Sequence, residues 1–142
     1  MPYSAKSKDK LYSCHDDLVT LMIEVDKSYE NTILEGARTT ERQQQLFKEG
    51  KSKLDGINKK SKHQVSHERP KSFAVDTAPY PIDWNDLKRF YHYVGYVNGV
   101  ADQLFRQGKM KHKIRCGADW DGDRSFKDQT FHDLPHIELI IE

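Results

Sequence analysis

Phe73-Ala74-Val75-Asp76-Thr77-Ala78-Pro79-Tyr80 alternates at its start in the manner of a buried strand, and Pro79 and Pro81 limit its length. Its consequence is a carboxylate, Asp76, held on rigid sheet backbone. A second apolar run, His136-Ile137-Glu138-Leu139-Ile140-Ile141, reads as a final strand with an imidazole at its start. Laid side by side, the two strands would fix Asp76 and His136, while His63 in Ser61-Lys62-His63 closes on them from a loop. Two imidazoles and a carboxylate from separate segments can hold Zn²⁺ through three ligands and leave a fourth position for water. Asp133, three residues before His136, adds a second carboxylate and completes the minimum set for a zinc hydrolase. Taken singly, Asp76 and His136 read more readily as a capping carboxylate and a core histidine satisfied by hydrogen bonds.

Upstream, Lys51 to Arg69 has almost no apolar periodicity and many Lys, Ser, Gly and Asn, which predicts an exposed loop. Thr40-Glu41-Arg42-Gln43 before it reads as a capping box, Thr40 capping and Gln43 reaching back, with a short helix running to a stop at Gly50. Thr32 to Ala37 reads as a strand. Leu18, Leu21, Met22, Val25 and Tyr29 recur at the spacing of one helical face, which makes the segment from His15 a core helix. Residues 1–13 are polar and read as a loose arm ahead of a single domain over 14–142.

Downstream, Asp83 or Asn85 can cap a long helix whose apolar face is Trp84, Leu87, Phe90 or Tyr91, Val94, Val97, Ala101, Leu104 and Phe105. Gly95 and Gly99 within it each cost about 1 kcal/mol relative to Ala, which predicts close approach of another element. Gly108 ends the helix. Lys111 to Cys116 is a candidate strand and Gly117 to Phe131 a polar loop. The sum is an α+β fold, a small and mainly antiparallel sheet flanked by helices.

The 142 residues suit one domain with one core. With 23 Lys plus Arg against 22 Asp plus Glu, net charge gives no argument for nucleic acid or an anionic membrane as partner. The 2 cysteines, Cys14 and Cys116, are too few for a disulfide framework and read as packed thiols. The N-terminus lacks the apolar core of a secretory signal, and no run approaches the length of a membrane span.

Gly36-Ala37-Arg38-Thr39-Thr40-Glu41-Arg42-Gln43 through Gly50, Ser61-Lys62-His63, Ala74-Val75-Asp76 through Trp84, Gly117-Ala118-Asp119-Trp120 and Asp133-Leu134-Pro135-His136-Ile137-Glu138-Leu139 occur in that order. Together they resemble the zinc L-alanyl-D-glutamate peptidases of bacteriophage endolysins, relatives of the D-alanyl-D-alanine carboxypeptidases and dipeptidases. The resemblance implies the fold shared with the hedgehog signalling domain. It implies His63, Asp76 and His136 as zinc ligands, Asp133 as the catalytic acid and base, and Arg38 facing the scissile carbonyl, with Gln43 near the family's recurring glutamine. One departure concerns the interval between the first histidine and the aspartate, which Gln64 to Ser72 lengthens here. His67 is thereby a rival first ligand. His63 is preferred because Ser61 and Lys62 complete the motif and an extension folded outward leaves both ends in place.

Other residues carry weaker expectations. Glu138 lies on the same strand face as His136 and can orient it, or be a solvated carboxylate. Ser61 belongs to the motif around His63. His132 reads as a loop residue, and Tyr80, Trp84 and Trp120 read as cleft walls or core. Asp119, Asp121, Asp123 and Asp128 space oxygen donors like the start of a calcium loop but lack the bidentate Glu of an EF-hand, so Ca²⁺ enters only as a candidate regulatory ion. The expected function is an endolysin that cuts peptidoglycan stem peptides. It would act as a monomer, accumulate in the host cytoplasm and reach the periplasmic wall through a separately encoded membrane pore, a holin. The alternatives are a D-Ala-D-Ala carboxypeptidase or dipeptidase, and a non-catalytic metal-stabilised wall-binding module.

Overall fold

The structure, a computed structural model, describes residues 3–117 and 133–141, with the backbone alone at 133 and 134. In chain order the elements are α1 (Ala5–Tyr12), α2 (Asp16–Asp26), β1 (Asn31–Glu35), α3 (Thr40–Lys48), β2 (Ala74–Pro79), α4 (Leu87–Arg106), β3 (Ile114–Gly117) and β4 (Asp133–Leu139). Among the described residues the strands form one antiparallel sheet in the order β1-β2-β4-β3. The expected α+β class and antiparallel sheet are thus observed.

Strand side chains alternate between faces, and here the two faces do different work. Ile33, Val75, Ile137 and Leu139 join Leu18, Leu21, Met22 and Val25 of α2 and Tyr93, Val97, Ala101 and Leu104 of α4 in one buried cluster. Each such side chain contributes about 1.5–3 kcal/mol by leaving water. The opposite face carries Asp76, His136 and Glu138. β2 lies between β1 and β4, which explains its nearly continuous burial where the sequence suggested alternation.

The N-terminal segment differs from expectation. Instead of a loose arm over residues 1–13, Ser4 caps α1 through a hydrogen bond from the Ser7 amide, and Leu11 and Ser7 are buried. The last turn of α1 presses on Gly36, where an added Cβ would fall well inside contact distance of the Lys10 carbonyl and the Ser13 hydroxyl. Ser13 Oγ also accepts from the Ala37 amide at 2.8 Å.

Helix starts are shifted by a residue or more. Thr39, not Thr40, caps α3 by accepting from the Arg42 amide, and Gln43 points inward instead of back to the cap. Asp86, not Asp83 or Asn85, caps α4. Trp84 and Leu87, expected on the apolar face of α4, are 54% and 52% exposed, and Trp84 stacks on Phe90. Among the described residues, nothing lies within 4 Å of a Cβ added at Gly95 or Gly99, so none of the described elements approaches them closely. Gly50 and Gly108 do end their helices, both at a φ of 75° that favours glycine. Cys14 and Cys116 are both buried. No helix among the described residues is long and apolar enough to cross a membrane.

Candidate metal centre

The sheet register sets the site. Asp76 of β2 and His136 of β4 are direct partners across one rung of the antiparallel ladder, so their side chains leave the same face as neighbours. His63 arrives from the loop that follows α3. Its carbonyl accepts from the Arg38 amide at 2.8 Å, the Val65 amide returns a bond to the Arg38 carbonyl at 3.0 Å, and the Phe73 amide donates to the Lys62 carbonyl at 2.9 Å. These bonds pin both ends of the lengthened interval. The extension folds outward between them, and His67 is exposed and outside the group.

The hydrogen-bond roles decide what the group can hold. His63 Nδ1 lies 2.8 Å from the Gly36 carbonyl oxygen, which can only accept, so the ring proton sits on Nδ1 and Nε2 keeps its lone pair. His136 Nε2 lies 2.9 Å from Glu138 Oε1. Burial raises the Glu138 carboxyl, but hydrogen bonds and charge from His136 and Arg115 outweigh it and hold the pKa below its ordinary value. Glu138 therefore accepts the His136 proton, leaving the lone pair on Nδ1. His63 Nε2 and His136 Nδ1 then both face Asp76 Oδ1, at 3.0 and 3.2 Å. Burial raises the Asp76 carboxyl, and rings protonated on these inner nitrogens would outweigh it and hold it well below the usual carboxylate range; in the neutral rings the same nitrogens are acceptors. With the outer nitrogens protonated, three acceptors converge with no proton between them. That arrangement is repulsive alone and favourable around a cation, and two nitrogens with one carboxylate oxygen are a donor set suited to zinc.

Arg38 lies beside this group. Its Nη1 donates to Gln43 Oε1 at 2.7 Å and reaches Ser61 Oγ at 3.5 Å, and its Nη2 pairs with Glu35. Gln43, fully buried, donates in turn to Ser52 Oγ at 2.9 Å and the Leu54 carbonyl at 2.6 Å. Ser61 Oγ accepts from the His63 amide at 3.1 Å, which ties the arginine cluster to the histidine turn. Arg38 Nε is buried without an acceptor among the described residues.

Glu138 is buried and bonded at both oxygens, to His136 and, at 2.9 Å, to Arg115 of β3. It is not a solvated strand carboxylate. Sequence reasoning missed Arg115 and the Gly36 carbonyl. Alternation along the third strand could have aligned Arg115 with Glu138, whereas a backbone acceptor leaves no mark on residue type. Tyr80 is 51% exposed and makes no core. Asp133 opens β4 opposite Gly117, and its side chain lies outside the described residues. So do His132, Trp120 and the candidate calcium ligands Asp119, Asp121, Asp123 and Asp128.

The family description that matches the sequence is phage L-alanyl-D-glutamate peptidase, over residues 1–140. The chain belongs to that family. Among solved structures, the fold is similar to that of the Serratia marcescens L-Ala D-Glu endopeptidase ChiX. The TM-score is 0.72 at 21% identity, covering 99% of this chain and 90% of that one. No curated protein sequence matches significantly.

The peptidase contains a second group of the same composition, His15, Asp17 and His112. Asp17 Oδ2 accepts from the Lys111 amide at 3.0 Å, the His112 amide at 2.9 Å and His112 Nδ1 at 2.8 Å. His15 Nδ1 accepts from the Asp17 amide at 3.0 Å and caps α2. Every close contact here pairs a donor with an acceptor.

Proposed function

We propose that this peptidase is a zinc-dependent endolysin that hydrolyses the L-Ala to D-Glu amide of peptidoglycan stem peptides, with His63, Asp76 and His136 as the metal ligands. The observation that carries the reading is the convergence of three acceptor atoms on one partly buried point, with the outer ring nitrogens fixed by Gly36 and Glu138. A zinc ion bound there would polarise the amide carbonyl and make a water acidic near neutral pH. Asp133, on the strand that carries His136, takes a proton from the attacking water and returns it to the leaving amine. Arg38, held by Gln43 and Glu35, donates to the amide oxygen as charge develops there, a role typically worth about 3 kcal/mol. Gly36 and Glu138 keep the two imidazoles in the tautomers that present lone pairs inward.

The test is lysis of permeabilised Gram-negative cells, with identification of the released peptide ends. New D-Glu amino termini, lost on chelation and restored by Zn²⁺, are the expected result. Cleavage between terminal D-Ala residues would move the protein to the carboxypeptidase class, and binding without cleavage would make it a wall-binding module. Delivery to the wall is proposed to depend on a separate membrane pore. Periplasmic protein in cells expressing this chain alone would contradict that.

A further inference from the structure

Lys62 immediately precedes His63, and its side chain crosses to β4, where Nζ donates to the Leu139 carbonyl at a long 3.4 Å. The ammonium is partly buried, has three donors and uses one weakly. Among the described residues no carboxylate lies within ion-pairing distance of it. The nearest acid by charge is Glu138, and both of its oxygens are already engaged, by His136 and Arg115. Arg69 and Arg115 add two further positive charges around the same point. A cation held out of bulk water among like charges costs free energy unless an anion joins it.

The family's substrate supplies one. Whichever of its carboxyls is linked onward, a D-glutamyl residue keeps a carboxylate beside the scissile amide. Leu139 lies three residues along β4 from His136, about 10 Å at the rise of a strand, which is the span of a few residues of extended peptide. We infer that Lys62 forms an anion subsite for a carboxylate of the stem peptide on the amine side of the cut. The inference rests on the proposed peptidase reading and adds the recognition of charge to it.

The experiment compares three synthetic stem peptides in kcat and KM: one with both the D-glutamyl and the C-terminal carboxylates free, one amidated at the D-glutamyl residue, and one amidated at the C-terminus. Each is measured on the zinc-loaded wild type and on Lys62→Met, Lys62→Gln and Lys62→Arg, with melting temperatures as a folding control. The wild type should favour the free acid over one of the two amides by about tenfold, chiefly through KM. Lys62→Met and Lys62→Gln should bring that ratio close to one, and Lys62→Arg should keep most of it. The amide that shows the effect identifies which carboxylate is bound. A wild-type preference that survives in both neutral variants, or no preference for either carboxylate, overturns the inference while leaving the peptidase reading intact. Failure of the wild type to cleave any of the three peptides overturns the peptidase reading instead.

Discussion

The His63–Asp76–His136 and His15–Asp17–His112 groups contain the same three side chains, yet their hydrogen bonds run in opposite senses. In the first, a carbonyl and a carboxylate take the outer ring protons, so the inner atoms are all acceptors. In the second, one carboxylate oxygen is surrounded by three donors and the remaining imidazole caps a helix. Composition alone would assign both to metal. Proton accounting suits a cation in the first, while in the second the carboxylate oxygen already has three donors and joins α2 to the segment before β3. The partner atoms around a ligand set therefore say more about occupancy than the set itself.

The sharpest way to break this comparison is to delete one imidazole from each group. Removing His63 or His136 by substitution with Ala should abolish bound zinc and lower peptide release by roughly 10⁴-fold, since the metal's share of transition-state stabilisation is several kcal/mol. His112→Ala should keep one zinc per chain by elemental analysis, as should His67→Ala. Two zinc ions in the wild type, one of them lost with His112, would refute that contrast.

Next in size is Asp133→Asn, expected to retain zinc and melting temperature while the rate falls about 10³-fold. Normal rate with normal zinc would remove Asp133 from the chemistry, and loss of zinc would make it a ligand. Glu138→Gln should then weaken zinc affinity by about 10- to 100-fold, read by competition with a chromophoric chelator. Unchanged affinity would show that the tautomer of His136 does not need its carboxylate.

The smallest functional effect and a clear structural one belong to Asp17→Ala. It leaves the Lys111 and His112 amides without their acceptor and should cost about 2–3 kcal/mol of folding free energy, with zinc content unchanged. Denaturant unfolding monitored beside metal content checks both halves.

Much of this was legible in the sequence where a period or a motif carries it. The apolar spacing from Leu18 to Val25 and from Phe90 to Leu104 marks α2 and α4 because both bury a full stripe. α1 escaped because its eight residues bury only Ser7 and Leu11, too few to set a period. Caps were misplaced where several candidates stand together, as at Thr39-Thr40 and Asp83-Trp84-Asn85-Asp86, since only the backbone angle at each residue chooses among them. Gly95 and Gly99 were read as sites of close approach, but none of the described residues comes within 4 Å of a Cβ placed there. The chosen ligands fall together in space, and the choice of His63 over His67 followed from the motif around it. The second His–Asp–His group could not be seen, because Asp17 and His112 lie 95 residues apart and no spacing announces their contact.

The bond from the Phe73 amide to the Lys62 carbonyl works like a drawstring at the neck of the segment between them. His63 and Ser72 just inside the neck bond to β2 and Val65 bonds to Arg38, but the turn from Ser66 to Glu68 beyond them is exposed, so added length there is nearly neutral. Doubling a flexible loop adds only about 0.6 kcal/mol of closure cost. The exposed turn closed by the Ser66 amide on the Arg69 carbonyl is therefore where this scaffold would admit grafted cargo, such as a wall-anchoring peptide or a fluorescent tag, without disturbing the ligands on either side.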